Sequence, residues 1–421
     1  MHDHDRSLKT LPKRSVKYIV YFFKWMSISI AVGLVGGAVG VPFHILVEKA
    51  GEIRQENLWL IWLLPIAGVA IFFMYKAAKM PLDTNRVINA VHLNEDIPLR
   101  MAPLIFVSTI ITHLFGGSAG REGAALQIGG TVGYNLGKLF KLNDMDMRLI
   151  VCCGMAAVFS ALFGLPVAAA IFALEVASVG TIYYAGLIPC LCAALIAKQM
   201  ALFAGIEPVT FSLAAIPSVS FASIGMTMLV SIICAVMSIF FCIALHGSED
   251  LGKKFIKIPW LRPVFGGLMV ALLTVILGTT DYNGAGMNVI AEAMAGNASP
   301  WAFFLKMLFT VLTISFGFKG GEIVPSMFVG ATLGCALGIA CGFNPGFCAA
   351  VGLLAMLCGM LNCPFAIIAM GVEMFGAGGI IFYAIASALG YTMSGTYGLY
   401  KEQHLVYSKL RAMYIDIKTR G

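Results

Sequence analysis

Charge is what this sequence has least of. Asp, Glu, Lys and Arg make up only 12% of its 421 residues, whereas an ordinary soluble domain carries roughly a quarter. With 59% hydrophobic residues and a mean hydropathy of +0.89, the chain has too few charges to cover a soluble domain of its size and needs lipid. Other absences narrow the reading. No C-x-x-C spacing occurs among the eleven cysteines, which sit almost entirely in apolar segments, so they read as small buried hydrophobes, with no metal site and no disulfide. No small-residue cleavage site follows a short apolar run near the start, so the first span is expected to stay. Neither glycine cluster continues as G-x-x-x-x-G-K followed by Ser or Thr, which argues against a phosphate-binding enzyme. No enzymatic activity, cofactor or nucleic-acid partner is expected.

What is present is apolar sequence in repeated pieces. Runs long enough to approach the roughly 20 residues of a crossing recur from Val16 onward, giving an all-α, polytopic membrane protein without a separate soluble domain. Residues 16–411 form the membrane domain, between short tails at 1–15 and 412–421. Several runs, such as Pro103 to Phe115 and Pro364 to Met374, are too short to cross untilted and are bounded by Gly or Pro, which predicts broken helices. The seven excess positive charges gather at both ends, for example Lys13, Arg14, Lys409 and Arg411; the positive-inside rule then places both termini in the cytoplasm.

The pieces repeat. Gly120, Arg121, Glu122 and Gly123 are echoed about 200 residues on by Gly320, Gly321 and Glu322. Pro166 and Glu175 recur as Pro364 and Glu373, each 198 positions later. Two homologous halves follow, at about residues 16–205 and 220–411. Short, Gly-interrupted segments in matching places of two inverted halves point to a transport site at their interface.

Each glycine cluster opens an apolar helical run. Free N–H groups and the positive end of a helix dipole, about half a charge, would then face a polar path and suit an anion. Glu122 at the mouth of the first cluster reads as a gate: its carboxylate competes with the anion for the same donors, and protonation releases it. An acid within the membrane costs about 3 kcal/mol on insertion scales, so a bystander role is disfavoured. Arg121 reads as a brace for the loop. Glu322 is either a second proton-handling group or an N-cap. Glu175 and Glu373 read as structural, with a proton path as the alternative. Asp281 and Glu292, with Asn283, Asn288 and Asn297, read as a solvated loop.

These residues resemble a known family. Gly120, Arg121, Glu122, Gly123 and Ala124, followed by Gln127, Ile128, Gly129 and Gly130, are similar to the G-R-E-G-P and Q-I-G-G signature of CLC anion channels and transporters. Gly320 to Pro325 stand at its second anion loop, and Tyr400 where the family has an anion-contacting tyrosine. The resemblance implies a CLC fold and a prokaryotic plasma-membrane homodimer with an anion pathway in each subunit. It places Glu122 as the gate and Tyr400 at the centre, with Gly120, Arg121, Gly123, Gly321, Ile323 and Val324 around the anion. No CBS domains are expected after the 21 residues that follow Tyr400.

There are departures. Ala124 replaces the usual proline. The first anion loop, G-S-G-I-P in the family, is matched weakly by Leu82, Asp83, Thr84, Asn85 and Arg86, without its serine. Val176 stands where chloride/proton antiporters carry an internal glutamate. Glu322 and the non-serine first loop resemble the fluoride-handling branch, although that branch usually has threonine at the position of Val324. The expectation is therefore a CLC-type channel or transporter moving a halide, chloride first, with fluoride/proton exchange as the leading alternative. A proton-coupled carrier of a small organic anion comes after it, since Arg121, Lys198 and Lys319 supply few core cations.

Overall fold

Apolar runs ending on glycine, asparagine and proline become helices broken at those residues. The structure, a computed structural model, describes residues 4–80, 87–88, 96–213, 215–411 and 413–420. Among the described residues six helices are long and apolar enough to cross a membrane, and shorter ones of 10–17 residues lie between and after them. The first half contains α1 (His4–Glu56), α2 (Leu64–Ala77), α3 (Met101–Leu114), α4 (Glu122–Leu139), α5 (Asp144–Phe163), α6 (Pro166–Glu175) and α7 (Leu187–Phe203). The second contains α8 (Phe221–Phe255), α9 (Leu261–Leu277), α10 (Met287–Met294), α11 (Ala302–Ile314), α12 (Ile323–Ala340), α13 (Pro345–Leu361), α14 (Pro364–Phe375) and α15 (Ile380–Met393).

The halves pack alike. In the first, α4 lies on α5, which in turn contacts α1 and α7; in the second, α12 lies on α13, which contacts α8 and α15. Glycine sets the closest approach in both. A Cβ on Gly154 would lie 2.2 Å from the Gly129 carbonyl oxygen, and one on Gly352 would lie 2.3 Å from that of Gly330. Backbone cannot yield there, so Gly154→Ala is expected to destabilise the detergent-solubilised protein by about 1–3 kcal/mol. Gly51→Ala, with nothing within 4 Å, should be neutral or mildly stabilising. Thermal melts of the two variants test the difference.

The breaks also correspond. Helix α5 ends at Gly164 (φ 72°) and α13 at Asn362 (φ 58°), left-handed positions that suit Gly and Asn, and a proline then opens α6 and α14. The short helices these prolines begin cap one another across the halves. Glu373 accepts from the amides of Val167 (3.2 Å) and Ala168 (2.8 Å). Glu175 accepts from those of Phe365 (3.3 Å) and Ala366 (2.8 Å). The two acids thus satisfy helix-start donors that lipid could not.

One element departs from an all-helical reading. The stretch read as a C-terminal tail carries β3 (Tyr414–Lys418), antiparallel to β2 (His404–Tyr407), which pairs in parallel with β1 (Ser178–Val179).

Candidate functional site

The two glycine clusters meet face to face. Gly120 N–H donates to the Gly321 carbonyl at 2.6 Å and Gly321 N–H returns a bond to the Gly120 carbonyl at 2.7 Å, an antiparallel bridge between the halves. Side chains are excluded at this contact, since a Cβ on Gly321 would lie 2.5 Å from Gly123 N. A second reciprocal pair fixes the loops: Ser118 N–H donates to Thr313 Oγ1 (2.9 Å) and Lys319 N–H to Thr112 Oγ1 (3.3 Å). Residues at matching repeat positions exchanging the same bonds place a local two-fold axis between Gly120 and Gly321. Thr112 and Thr313 escaped the sequence reading; their signal was the 201-residue offset that also relates Gly120 to Gly321, carried by a common residue type.

This junction aims the starts of α4 and α12 at one place. Glu122, 1% exposed, folds back so that Oε2 accepts from Arg121 N–H at 2.8 Å. The amides of Glu122 itself and of Val324, from the opposite half, face the same carboxylate. The carboxylate therefore occupies backbone donors that a dehydrated anion could use. Such donors hold an anion by partial charges, which suits passage better than a full ion pair at low dielectric.

Glu322 approaches from the other side. A Cβ on Gly123 would lie 3.6 Å from Glu322 Oε2, while one on Gly120 would lie 2.2 Å from Glu122 Oε2, so two acids flank one helix start. Glu322 stands at the N-cap of α12, but its side chain makes no capping bond. It opens instead onto a cavity of about 480 Å³, a vestibule also lined by Gln127, His246, Glu249, Lys319 and Tyr400. Tyr400 is buried, and its Oη, like Gln127 Oε1, has no hydrogen-bond partner among the described residues. The ring lies within electrostatic reach of both Glu122 and Glu322.

The C-terminal strands explain where Tyr400 stands. Its carbonyl accepts from Thr419 Oγ1 (2.6 Å) and from Gln403 N–H (3.0 Å). Gln403 in turn donates to the Val176 and Leu361 carbonyls, both at 2.8 Å. Residues beyond 412 thus hold the tyrosine against the breaks after α6 and α13.

Gly120, Glu122, Gly123, Gly321, Glu322, Val324 and Tyr400 therefore converge, and Ile323 is fully buried beside them. Arg121 gives its amide to this site, while its guanidinium has Glu48 of α1 and Glu122 as charged neighbours. Asp83 and Thr84 lie outside the described residues.

Asn283 corrects one expectation. It is 2% exposed rather than solvated, and its Nδ2 donates to the Gly116 carbonyl at 2.8 Å, because the loop before α10 folds over the start of the first glycine cluster. Lys306, fully buried in α11, was also missed among core cations. Its Nζ donates to the carbonyls of Tyr282 (3.1 Å) and Gly284 (2.7 Å).

Known proteins resemble this chain in sequence and fold. The family model described as voltage gated chloride channel matches residues 68–395. A chloride/fluoride channel protein of Pseudomonas syringae pv. tomato is 35% identical over 398 residues, covering 92% of this chain and 88% of the relative. An H(+)/Cl(-) exchange transporter of Citrobacter koseri is 26% identical, covering 86% of this chain and 83% of its own. Among solved structures, a CLC-type fluoride/proton antiporter superposes with TM-score 0.87 at 32% identity, covering 91% of this chain and 98% of that one. With the family model matched over more than three quarters of its length and a 35% identical relative along nearly all of it, this chain belongs to the voltage-gated chloride channel (CLC) family of membrane anion transporters.

Proposed function

We propose that this chain exchanges fluoride for protons. The observation that carries the reading is that two acids, Glu122 in the first turn of α4 and Glu322 at the N-cap of α12, one position out of the repeat register that pairs Gly120 with Gly321, both stand against the start of α4 beside that bridge. The sequence, Glu322 included, put chloride first; the placement of both acids against one helix start moves fluoride ahead. Fluoride is small and strongly hydrated, and gives up water only to strong donors. A protonated carboxyl group is such a donor, and hydrogen bonds with one charged partner are about twice as strong as neutral ones. The ionised Glu122 and an anion exclude one another from the same amides, and a proton on Glu122 vacates them. Proton and anion then take turns at one set of donors, the linkage an exchanger needs. The likeness to a chloride/fluoride channel protein and to a fluoride/proton antiporter supports the same choice.

The proposal includes a homodimer with one pathway in each subunit, in a prokaryotic plasma membrane with both termini cytoplasmic. Efflux from liposomes loaded in turn with fluoride and chloride, with external anion and pH recorded together, tests the transport reading. Fluoride efflux with stoichiometric proton movement and little chloride flux is expected. Chloride efflux without proton movement would replace the proposal with a chloride channel.

A further inference from the structure

Helix α9 has the Glu322 vestibule at its start, where Arg262 and Pro263 line the wall. At its other end, about 25 Å away for a helix of this length, lies a separate cavity of about 520 Å³. Thr274, Thr280, Asn283, Trp59 and Trp62 line it, together with Arg54 from the last turn of α1. Arg54 is only 6% exposed. Its Nε is buried without a partner, and no hydrogen bond or ion pair joins the guanidinium to any described residue. No acidic side chain of the described residues acts on it.

A buried guanidinium with five donors is costly unless acceptors meet it. Four nearby carbonyls are already engaged. Lys306 takes those of Tyr282 and Gly284, Asn283 takes that of Gly116, and Gly284 N–H takes that of Gly117 at 3.0 Å. The negative ends of the α1 and α9 dipoles offset part of the charge, but none of their carbonyls accepts from Arg54. Lysine, asparagine and arginine donors thus crowd this end of α9, and no acceptor bonds Arg54 among the described residues. Lys306 and Arg121 add positive charge around His113, which Arg54 also reaches. A Cβ on Gly116 would lie 3.2 Å from Arg54 Cδ, so the cavity adjoins the loop that runs on to Glu122.

We propose that Arg54 is the centre of a second anion site, which holds a small inorganic anion on the face opposite the Glu322 vestibule and concentrates it at the outer end of the first glycine loop. The site rests on the anion-transport role of the family and not on the choice of fluoride. Its occupant is taken as a free anion because Arg54, 6% exposed, lies behind a rim of Leu58, Trp59, Trp62 and Val275, themselves 49–62% exposed.

Trp59 and Trp62 report on the cavity directly. Iodide titration of tryptophan fluorescence, with the full chain in uncharged nanodiscs and gluconate balancing ionic strength, should show a saturable component. That component should disappear in Arg54→Gln, persist in Arg54→Lys, and disappear when Trp59 and Trp62 are both changed to phenylalanine. Anion uptake at low concentration should fall about tenfold in Arg54→Gln, the lower end of what a focused charge adds to capture rates. Linear quenching in the parent protein, or a saturable component that survives loss of both tryptophans, overturns the site whatever Arg54→Gln does to folding. Loss of the component when phosphatidylglycerol is added would assign Arg54 to a lipid phosphate and overturn the free-anion assignment. Because quenching needs no transport, it stands or falls separately from fluoride/proton exchange.

Discussion

Replacing Glu122 by glutamine leaves a folded protein whose anion flux no longer responds to pH. The amide has nearly the shape of the acid, and its carbonyl can still accept from Arg121 N–H, where Glu122 Oε2 now accepts at 2.8 Å. What it loses is the choice between two charge states. In the parent protein the ionised carboxylate sits on the donors of Arg121 and Val324, and lowering the pH frees them, so flux should rise as pH falls. A gate opened by one proton changes its open fraction by up to about tenfold per pH unit at pH values above its midpoint, as 1.4 kcal/mol per unit requires, and levels off below it. In Glu122→Gln the same range should move flux by no more than about twofold, and protons should no longer accompany the anion. Flux and pH traces from liposomes, beside a melting curve, decide it. Unaltered pH dependence in a folded mutant would sink the gate assignment.

The second large effect belongs to Glu322. Its carboxyl group adjoins Gly123, opens to the vestibule and makes no capping bond, so removing its charge removes no helix cap. Glu322→Gln should therefore melt within about 1 kcal/mol of the parent, as a change without a cavity or a lost buried partner does. Fluoride-coupled proton movement should fall at least about tenfold, a loss within the range of positioned proton-transfer groups. Glu322→Asp, which keeps the acid, should recover part of it. If Glu322→Gln transports fluoride and protons at parental rates, the second acid is not a working group. A large drop in melting temperature with transport preserved would instead make it structural.

The sequence exposed the parts of this site that are local. The run from Gly116 to Gly123 and that from Gly317 to Glu322 are unusual in an apolar chain, and each opens a helix, so the anion-facing amides could be placed from spacing alone. The 198-residue offset of Glu175 and Glu373 announced a pair, but not that each would hold the other's partner helix, since reciprocal capping exists only once the halves are docked. Asn283, Lys306 and Arg54 were illegible for a related reason. A lone polar residue beside a loop looks the same whether solvent or a carbonyl awaits it, and the partners of Asn283 and Lys306 are set by how α10 and α11 fold back. Tyr400 was found by resemblance. Its support by Gln403 and Thr419 was not, because a strand of five residues after a membrane domain reads as a tail.

The crossed caps also bear on how the protein is made. Val167 and Ala168 enter the bilayer with the first half, but their acceptor, Glu373, is about 200 residues further along the chain. At 5–20 residues per second, synthesis leaves those amides without it for roughly 10–40 s. The nascent first half must therefore wait with a polar break unclosed, beside the insertion machinery or in a water-filled recess, until the second half arrives. Truncation after the first half would leave that wait without an end, so the ribosome must deliver both halves before either becomes a finished membrane protein.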